Sequence, residues 1–452
     1  MMLDAADAAT ADAAAVHSPA FKSDQPSGRT GVLSLERTMI LSTSILPMKP
    51  LFLLLALVST MLECSAFSTS VSSKRQSLLS RWMAPSEGLS PLSSFNALID
   101  KRLEAVDQVP ADPEGSPGSV ANAPIIDFVD LLQLGFAKST QQQARRDFAE
   151  MLRRTGGYCI VRLGDPETHI VDGLWNAMDE IYETEDMEWR HQTLSRVDSA
   201  KSHQESGYEF VQTALHDGSF EALAVHVGDD AAERAREACR LMAVLGRAFS
   251  VVAYSGVFDV PPTTASDVVR VILDDEDGSM SGSFHRLAQY VQSSDAKWRE
   301  SLRPHCDWSI ATPIPVSSKA GLEIFAADSW VRPELTARQF DQADSGPHLR
   351  WNSKFVTIMA GKWMELLTNG AVPSCIHRVV ATPNVQSRKS APYFMRPRPR
   401  IFEEAEQMTF ANGKNAVKCI YDGLNKSILS EGTTLVSSTA RDMSVAVRSG
   451  TH

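Results

Sequence analysis

His305 and Asp307 stand two apart, and His377 follows 72 residues after His305, so the three can act together only if separate segments are brought face to face. Along a β-strand, side chains two apart share a face, so His305 and Asp307 reach one point while Cys306 turns away. A histidine from a different strand then completes a 2-His-1-carboxylate set, which holds Fe(II) on one side and leaves the other positions open. Arg388 and Ser390 repeat the spacing of two. A guanidinium grips a carboxylate through two parallel hydrogen bonds, and a neighbouring hydroxyl adds another donor. Taken singly these residues are bland, since H-x-D pairs are common and most arginines pair with surface acids. Their order, H-x-D, then a strand histidine, then R-x-S, is what makes them informative.

More of the chain follows the same order. Ala123-Pro-Ile-Ile-Asp127 and Gly156-Gly-Tyr158 come first, then His305-Cys-Asp-Trp-Ser309 with Thr312, Gly321-Leu322 and Trp330-Val331. Leu366-Leu-Thr-Asn-Gly370, His377-Arg-Val-Val380 and Arg388-Lys-Ser390 with Phe394 complete the set. On these segments the stretch from about Ala123 to Pro399 resembles the isopenicillin N synthase-like family of Fe(II)/2-oxoglutarate-dependent dioxygenases. The resemblance implies a mainly β fold with flanking helices, a double-stranded β-helix (jelly roll) with an α/β region before it. It implies that His305, Asp307 and His377 bind iron, and that Arg388 and Ser390 bind the distal carboxylate of 2-oxoglutarate. Tyr290, fifteen residues before His305, matches a tyrosine that also contacts the co-substrate. No catalytic residue beyond the metal centre is implied. The implied reaction consumes 2-oxoglutarate and O2, releases succinate and CO2, and hydroxylates or desaturates a small-molecule substrate, with ascorbate as an accessory reductant. Two alternatives share the fold: an iron oxidase that dispenses with 2-oxoglutarate, and a non-catalytic jelly-roll binding protein.

The chain departs from the family at several places. Ala288-Gln289-Tyr290 stands where relatives often carry Asn-x-Tyr, Cys306 replaces a usual Thr, and Lys362 follows Gly361 where an acid is common. Arg332 to Lys354 is longer than usual and reads as a surface insertion, because long loops cost little to close.

Composition narrows the partners. The chain has 452 residues, 43% hydrophobic and 22% charged, ordinary values for a globular protein. A net charge of −11 disfavours a nucleic-acid backbone or an anionic membrane as the main partner. The six cysteines, at 64, 159, 239, 306, 375 and 419, form no C-x-x-C pair, so free thiols are expected rather than a zinc knuckle or a disulfide framework.

Residues 1–90 read as a disordered and targeting segment. Residues 1–38 are rich in Ala, Asp and Ser. Met48-Lys49-Pro50 then leads into the apolar run Leu51 to Val58 and on to Cys64-Ser-Ala66, a signal-peptide pattern if translation begins at Met48 rather than Met1. The run is too short for a stable membrane span. Phe67 to Ser86 contains Lys74, Arg75 and Arg81 and no acid, so the whole resembles a bipartite plastid presequence, with a cytoplasmic protein as the alternative. A mainly helical region is expected at 120–260, the jelly roll at 280–400, and a polar tail at 425–452.

Within those regions, Pro124–Val129 and Tyr158–Val161 are expected as strands. Helices are expected at Gln141–Arg154, where Ala144, Phe148, Met151 and Leu152 share a face, from Asp165 onward, and at Ala231–Tyr254. Phe355–Met359, Trp363–Leu367 and Ser374–Ala381 are expected as strands, with Thr368-Asn-Gly370 as a hairpin between the last two. His285 lies too near Tyr290 for a third ligand. His348 is expected in a loop, and His203 and His216 outside the barrel strands.

Overall fold

A helical layer and three sheets make up the computed structural model, which describes residues 91–107, 109, 124–136, 141–183, 195–197, 207–275, 277–291, 300–341, 349–380 and 387–401. The presequence pattern, the tail, His203 and His348 lie outside these residues. The first half runs α1 (Pro91–Asp107), β1 (Ile125–Asp127), α2 (Phe128–Phe136), α3 (Gln142–Thr155), β2 (Tyr158–Arg162) and α4 (Asp165–Glu183). It continues with β3 (Ser195–Val197), β4 (Gly207–Thr213), α5 (Ser219–Val227), α6 (Asp229–Phe258) and α7 (Pro262–Leu273). The second half is β5 (Phe284–Val291), β6 (Glu300–His305), β7 (Ala311–Pro315), β8 (Leu322–Ala326), β9 (Ser329–Val331), α8 (Pro333–Phe340) and β10 (Phe355–Ala360). It closes with α9 (Lys362–Leu367), β11 (His377–Val380), β12 (Ser387–Ser390) and β13 (Tyr393–Phe394).

The strands form three sheets, ordered β1-β2-β10-β7, β6-β11-β8-β9 and β12-β5-β4-β3, with β13 also on β5. All pairings are antiparallel except β1 with β2. That is the jelly-roll arrangement the sequence implied, with β1 and β2 of the N-terminal region extending one sheet. Beneath it runs α6, whose most apolar window has a mean hydropathy of 1.6 and passes the length and composition test for a membrane span. Of that window 72% is buried within the protein, packed by α2, α3, α4, α5, α7 and β7, so its all-round apolar character is that of a core helix. Gly246 lets the sheet approach it closely: a Cβ there would lie 3.0 Å from Met395 Sδ and 3.3 Å from Pro313 Cγ.

Several elements form as the patterns predict. Gly156 caps α3 in the left-handed region at φ 77°, donating to Leu152 O, and the chain passes directly into β2. The buried face of α3 is Arg145, Phe148, Ala149 and Leu152, so Arg145 takes the place expected for Ala144, which is exposed. Its Nε reaches Leu134 O at 2.7 Å. Cys159, Cys239, Cys306 and Cys375 are buried free thiols.

Five expectations are corrected. Trp363–Leu367 lies within α9 rather than forming a strand, and all six residues of that helix are buried. A short apolar run has no periodicity that separates strand from helix, and here Gly361 and burial on every side decided it. Thr368-Asn-Gly370 is therefore not a hairpin but the helix stop. Asn369 (φ 51°) and Gly370 (φ 80°) take the left-handed conformation, and Gly370 N–H closes on Glu365 O at 2.7 Å. Hairpin turn and helix cap both demand positive φ, so the Asn-Gly signal serves either. The strand holding His377 starts at His377 itself, not Ser374, and β1 yields to α2 at Phe128. Finally, 332–354 is not a simple surface insertion. It carries α8, with Pro333, Glu334, Thr336 and Ala337 buried, and its first residue, Arg332, is paired with buried Glu323 at 2.8 Å.

Candidate metal centre and co-substrate cavity

His305 is the last residue of β6 and His377 the first of β11, and the two are direct partners in the antiparallel register. Their ring centroids lie 4.2 Å apart. Asp307 falls just beyond the end of β6, so the two-apart spacing works through an extended segment rather than the strand proper. The three ligand atoms all lie within 4.8 Å of one another, and among the described residues this is the group of His, Cys, Asp and Glu able to hold a metal ion. Asp307 Oδ1 sits 3.6 Å from His305 Nε2 and 3.7 Å from His377 Nε2.

The surroundings decide which atoms face the centre. His305 Nδ1 bonds Arg303 O at 2.8 Å and His377 Nδ1 bonds Cys375 O at 3.1 Å. A carbonyl only accepts, so both Nδ1 atoms carry the proton and both Nε2 lone pairs are left for a metal. Thr312 Oγ1, itself 2.7 Å from Ser309 Oγ, donates to Asp307 Oδ2 at 2.8 Å, which leaves Oδ1 as the ligating oxygen. Burial, then the neighbouring His377, pushes His305 down to about 4 against the opposing pull of Asp307, so it is neutral at pH 7, as a ligand must be. Two imidazoles and one carboxylate with free lone pairs suit a divalent iron ion. Cys306 turns away, its thiol directed at Ser374 O.

Next to the ligands is a cavity of about 330 Å³ between the sheets. Tyr290, Arg388 and Ser390 line it together with the three ligands, and Ala288 contributes only a bare methyl. Arg388 pairs with Tyr290 in register and Ser390 with Ala288. The Arg388 guanidinium lies 5.6 Å from the Tyr290 ring. It is buried and anchored on one side: Nε donates to Lys319 O at 3.1 Å, and Nη2 to Glu334 Oε1 at 2.9 Å, while Nη1 is buried with no partner. Gly321 makes room for it, since a Cβ there would lie 2.7 Å from Arg388 Cδ. Lys389, between the two lining residues, points the other way to Asp179 of α4, which also accepts from Arg350 Nη2 at 2.7 Å.

Glu334 is the residue that sequence reasoning missed, because it belongs to the segment read as an insertion. Its signal was faint: one acid in the first turn of a helix opened by Pro333. His285 is buried with Nε2 on Ala391 O at 3.1 Å and stands apart from the ligands, and His216 is exposed outside the barrel, both as expected.

Residues 283–397 match the family model of the 2OG-Fe(II) oxygenase superfamily. No curated protein matches the chain. Similar solved structures include a full-length Neurospora crassa protein in complex with alpha-KG and thymine, at 15% identity and TM-score 0.42 over 68% of this chain and 97% of that one. Another is dioxygenase for auxin oxidation 1 of Arabidopsis thaliana with 2-oxoglutarate, at 12% identity and TM-score 0.43 over 62% and 94%. The matched stretch contains all three ligands and the arginine, serine and tyrosine beside them, so it is this part of the chain, residues 283–397, that carries a 2OG-Fe(II) oxygenase superfamily domain.

Proposed function

We propose that this protein oxidises a small molecule in the cavity beside His305, Asp307 and His377, within the isopenicillin N synthase-like branch of its superfamily. The observation that carries the reading is the unpartnered Nη1 of buried Arg388, on the cavity wall that also holds the three ligands. A buried guanidinium with an unused donor is costly unless an anion completes it. The distal carboxylate of 2-oxoglutarate meets that need, with Ser390 and Tyr290 beside it. When bound, Fe(II) supplies the O2 chemistry that converts 2-oxoglutarate to succinate and CO2 and oxidises the substrate. The chain's own part is positional. His305 and His377 turn their Nε2 atoms to the centre because backbone carbonyls hold their Nδ1 atoms, Thr312 orients Asp307, and Arg388 sets the depth of the co-substrate.

Anaerobic addition of Fe(II) and 2-oxoglutarate tests this through the visible metal-to-ligand charge-transfer band. The band is expected in the wild type, lost in His377→Ala, and shifted to higher 2-oxoglutarate concentration in Arg388→Ala. Its absence from the wild type would sink the proposal and favour a 2-oxoglutarate-independent oxidase.

We also propose plastid targeting through the signal-like stretch ending at Ala66 and the basic, acid-free stretch to Ser86. A fluorescent fusion of residues 48–90 expressed in an alga with a secondary plastid tests it. Cytosolic fluorescence counts against it.

A further inference from the structure

The cavity contains cationic groups that the reading above does not use. Alternation along β5 brings Arg286 into the cavity on the same face as Tyr290, and Arg396 lines it two residues beyond Phe394. The Arg286 guanidinium lies 4.4 Å from the Phe210 ring, 5.2 Å from Phe394 and 5.6 Å from Phe284. That of Arg396 lies 6.0 Å from Phe284, so the two arginines share one aromatic wall. Arg286 Nη2 donates to the neutral Gln212 Oε1 at 2.7 Å, and its buried Nε has no partner. Among the described residues neither arginine pairs with a carboxylate, in contrast to Arg388 with its Glu334.

Two half-buried like charges without a counter-ion are an unfavourable arrangement. Burial and the nearby Arg286 hold the Arg396 guanidinium below its usual range. Aromatic faces keep a guanidinium flat and leave its N–H edges free for a planar anion. In the reading above 2-oxoglutarate is assigned to Arg388, not to this pair. Arg286 is four residues along β5 from Tyr290, the register partner of Arg388. At the strand rise, the backbone positions of Arg286 and Tyr290 are about 13 Å apart.

We infer that Arg286 and Arg396 bind the carboxylate of the substrate, and that this substrate is a small carboxylic acid whose aromatic or otherwise apolar body lies against Phe284, Phe394 and Trp308. The inference rests on the cavity being the oxidation site proposed above.

Calorimetry tests it on the full chain loaded anaerobically with Fe(II) and 2-oxoglutarate, and again on the unloaded chain. The probes are 3-phenylpropionate and 2-naphthylacetate, each against its primary amide. At least one acid is expected to bind tenfold or more tighter than its amide. Arg286→Gln and Arg396→Gln should each erase that gap, Arg286→Lys should keep part of it, and 2-oxoglutarate binding should not change. If neither acid binds, if acids and amides bind alike, or if both Gln variants keep the gap, the inference is overturned. Retained 2-oxoglutarate binding certifies the fold of each variant, and where one fails to fold the other decides. A wild type that prefers the acids but does not bind 2-oxoglutarate would overturn the dioxygenase reading and leave this site standing. The reverse pattern would overturn the site alone.

Discussion

Glu334 and Arg388 form a buried ion pair, 2.9 Å from Oε1 to Nη2, that ties helix α8 to strand β12 at the wall of the cavity. Glu334 Oε1 also accepts from Leu322 N–H at 3.0 Å, so the carboxylate orients Arg388 while offsetting part of its charge.

Glu334→Gln keeps an oxygen acceptor for both donors and removes the charge. The free protein should lose about 1–3 kcal/mol of stability, because a buried guanidinium loses its counter-ion. Its affinity for 2-oxoglutarate should rise, since the co-substrate then supplies the sole anion at Arg388. Melting curves with and without 2-oxoglutarate should show a lower Tm but a larger ligand-induced shift than wild type, and an equal or smaller shift would contradict the account.

Thr312→Val is nearly isosteric but removes the hydroxyl that holds Asp307 Oδ2. With that oxygen released, the carboxylate can rotate, and metal affinity should fall about 10–100-fold, the usual effect of losing such a support. Competition against a fluorescent chelator measures it. Unchanged affinity would mean that Asp307 is oriented by other means.

Glu365 joins α1 to the segment leading into β11. Its oxygens accept from Arg102 Nη1 at 2.9 Å, and Oε2 takes the Ser374 N–H at 2.7 Å, three residues before His377. Glu365→Ala leaves the half-buried Arg102 and the buried Ser374 N–H without an acceptor and should cost about 1–3 kcal/mol in urea unfolding. It should also weaken metal binding by loosening the approach to His377.

Burial pushes His285 down to about 4, and its Nδ1 faces no acceptor that a second proton could use. The folded protein therefore keeps it neutral while the unfolded chain takes up a proton below about 6.5. The stability it contributes is complete above that pH and is lost as pH falls toward 4. From pH 7 to 5 the loss should be about 2 kcal/mol, with His305 adding in the same direction in metal-free protein. Urea titrations of metal-free wild type and His285→Leu at both pH values check it, and the variant should show a clearly shallower decline.

Much of the centre was legible because its spacing is local. Side chains two apart on extended chain share a side, which selects His305 with Asp307 and Arg388 with Ser390 whatever the rest of the protein does. Long helices such as α4 and α6 were legible for the same reason, since their apolar stripes repeat over many turns. Short elements were not. Lys362–Leu367 and Asn369-Gly370 satisfy strand and helix rules alike, and only burial from every side chose the helix.

The amino-acid order by itself determined the candidate ligand types, the two-apart placement of Arg388 and Ser390 and the long helices, because these depend on covalent geometry and near neighbours. The tertiary structure alone decided that His305 faces His377 in register, that Glu334 reaches Arg388 across 54 residues, and that Arg286 and Arg396 share an aromatic wall with no paired acid among the described residues. Those relationships join residues far apart in the chain, and packing and desolvation, which act only once the sheets close, select them.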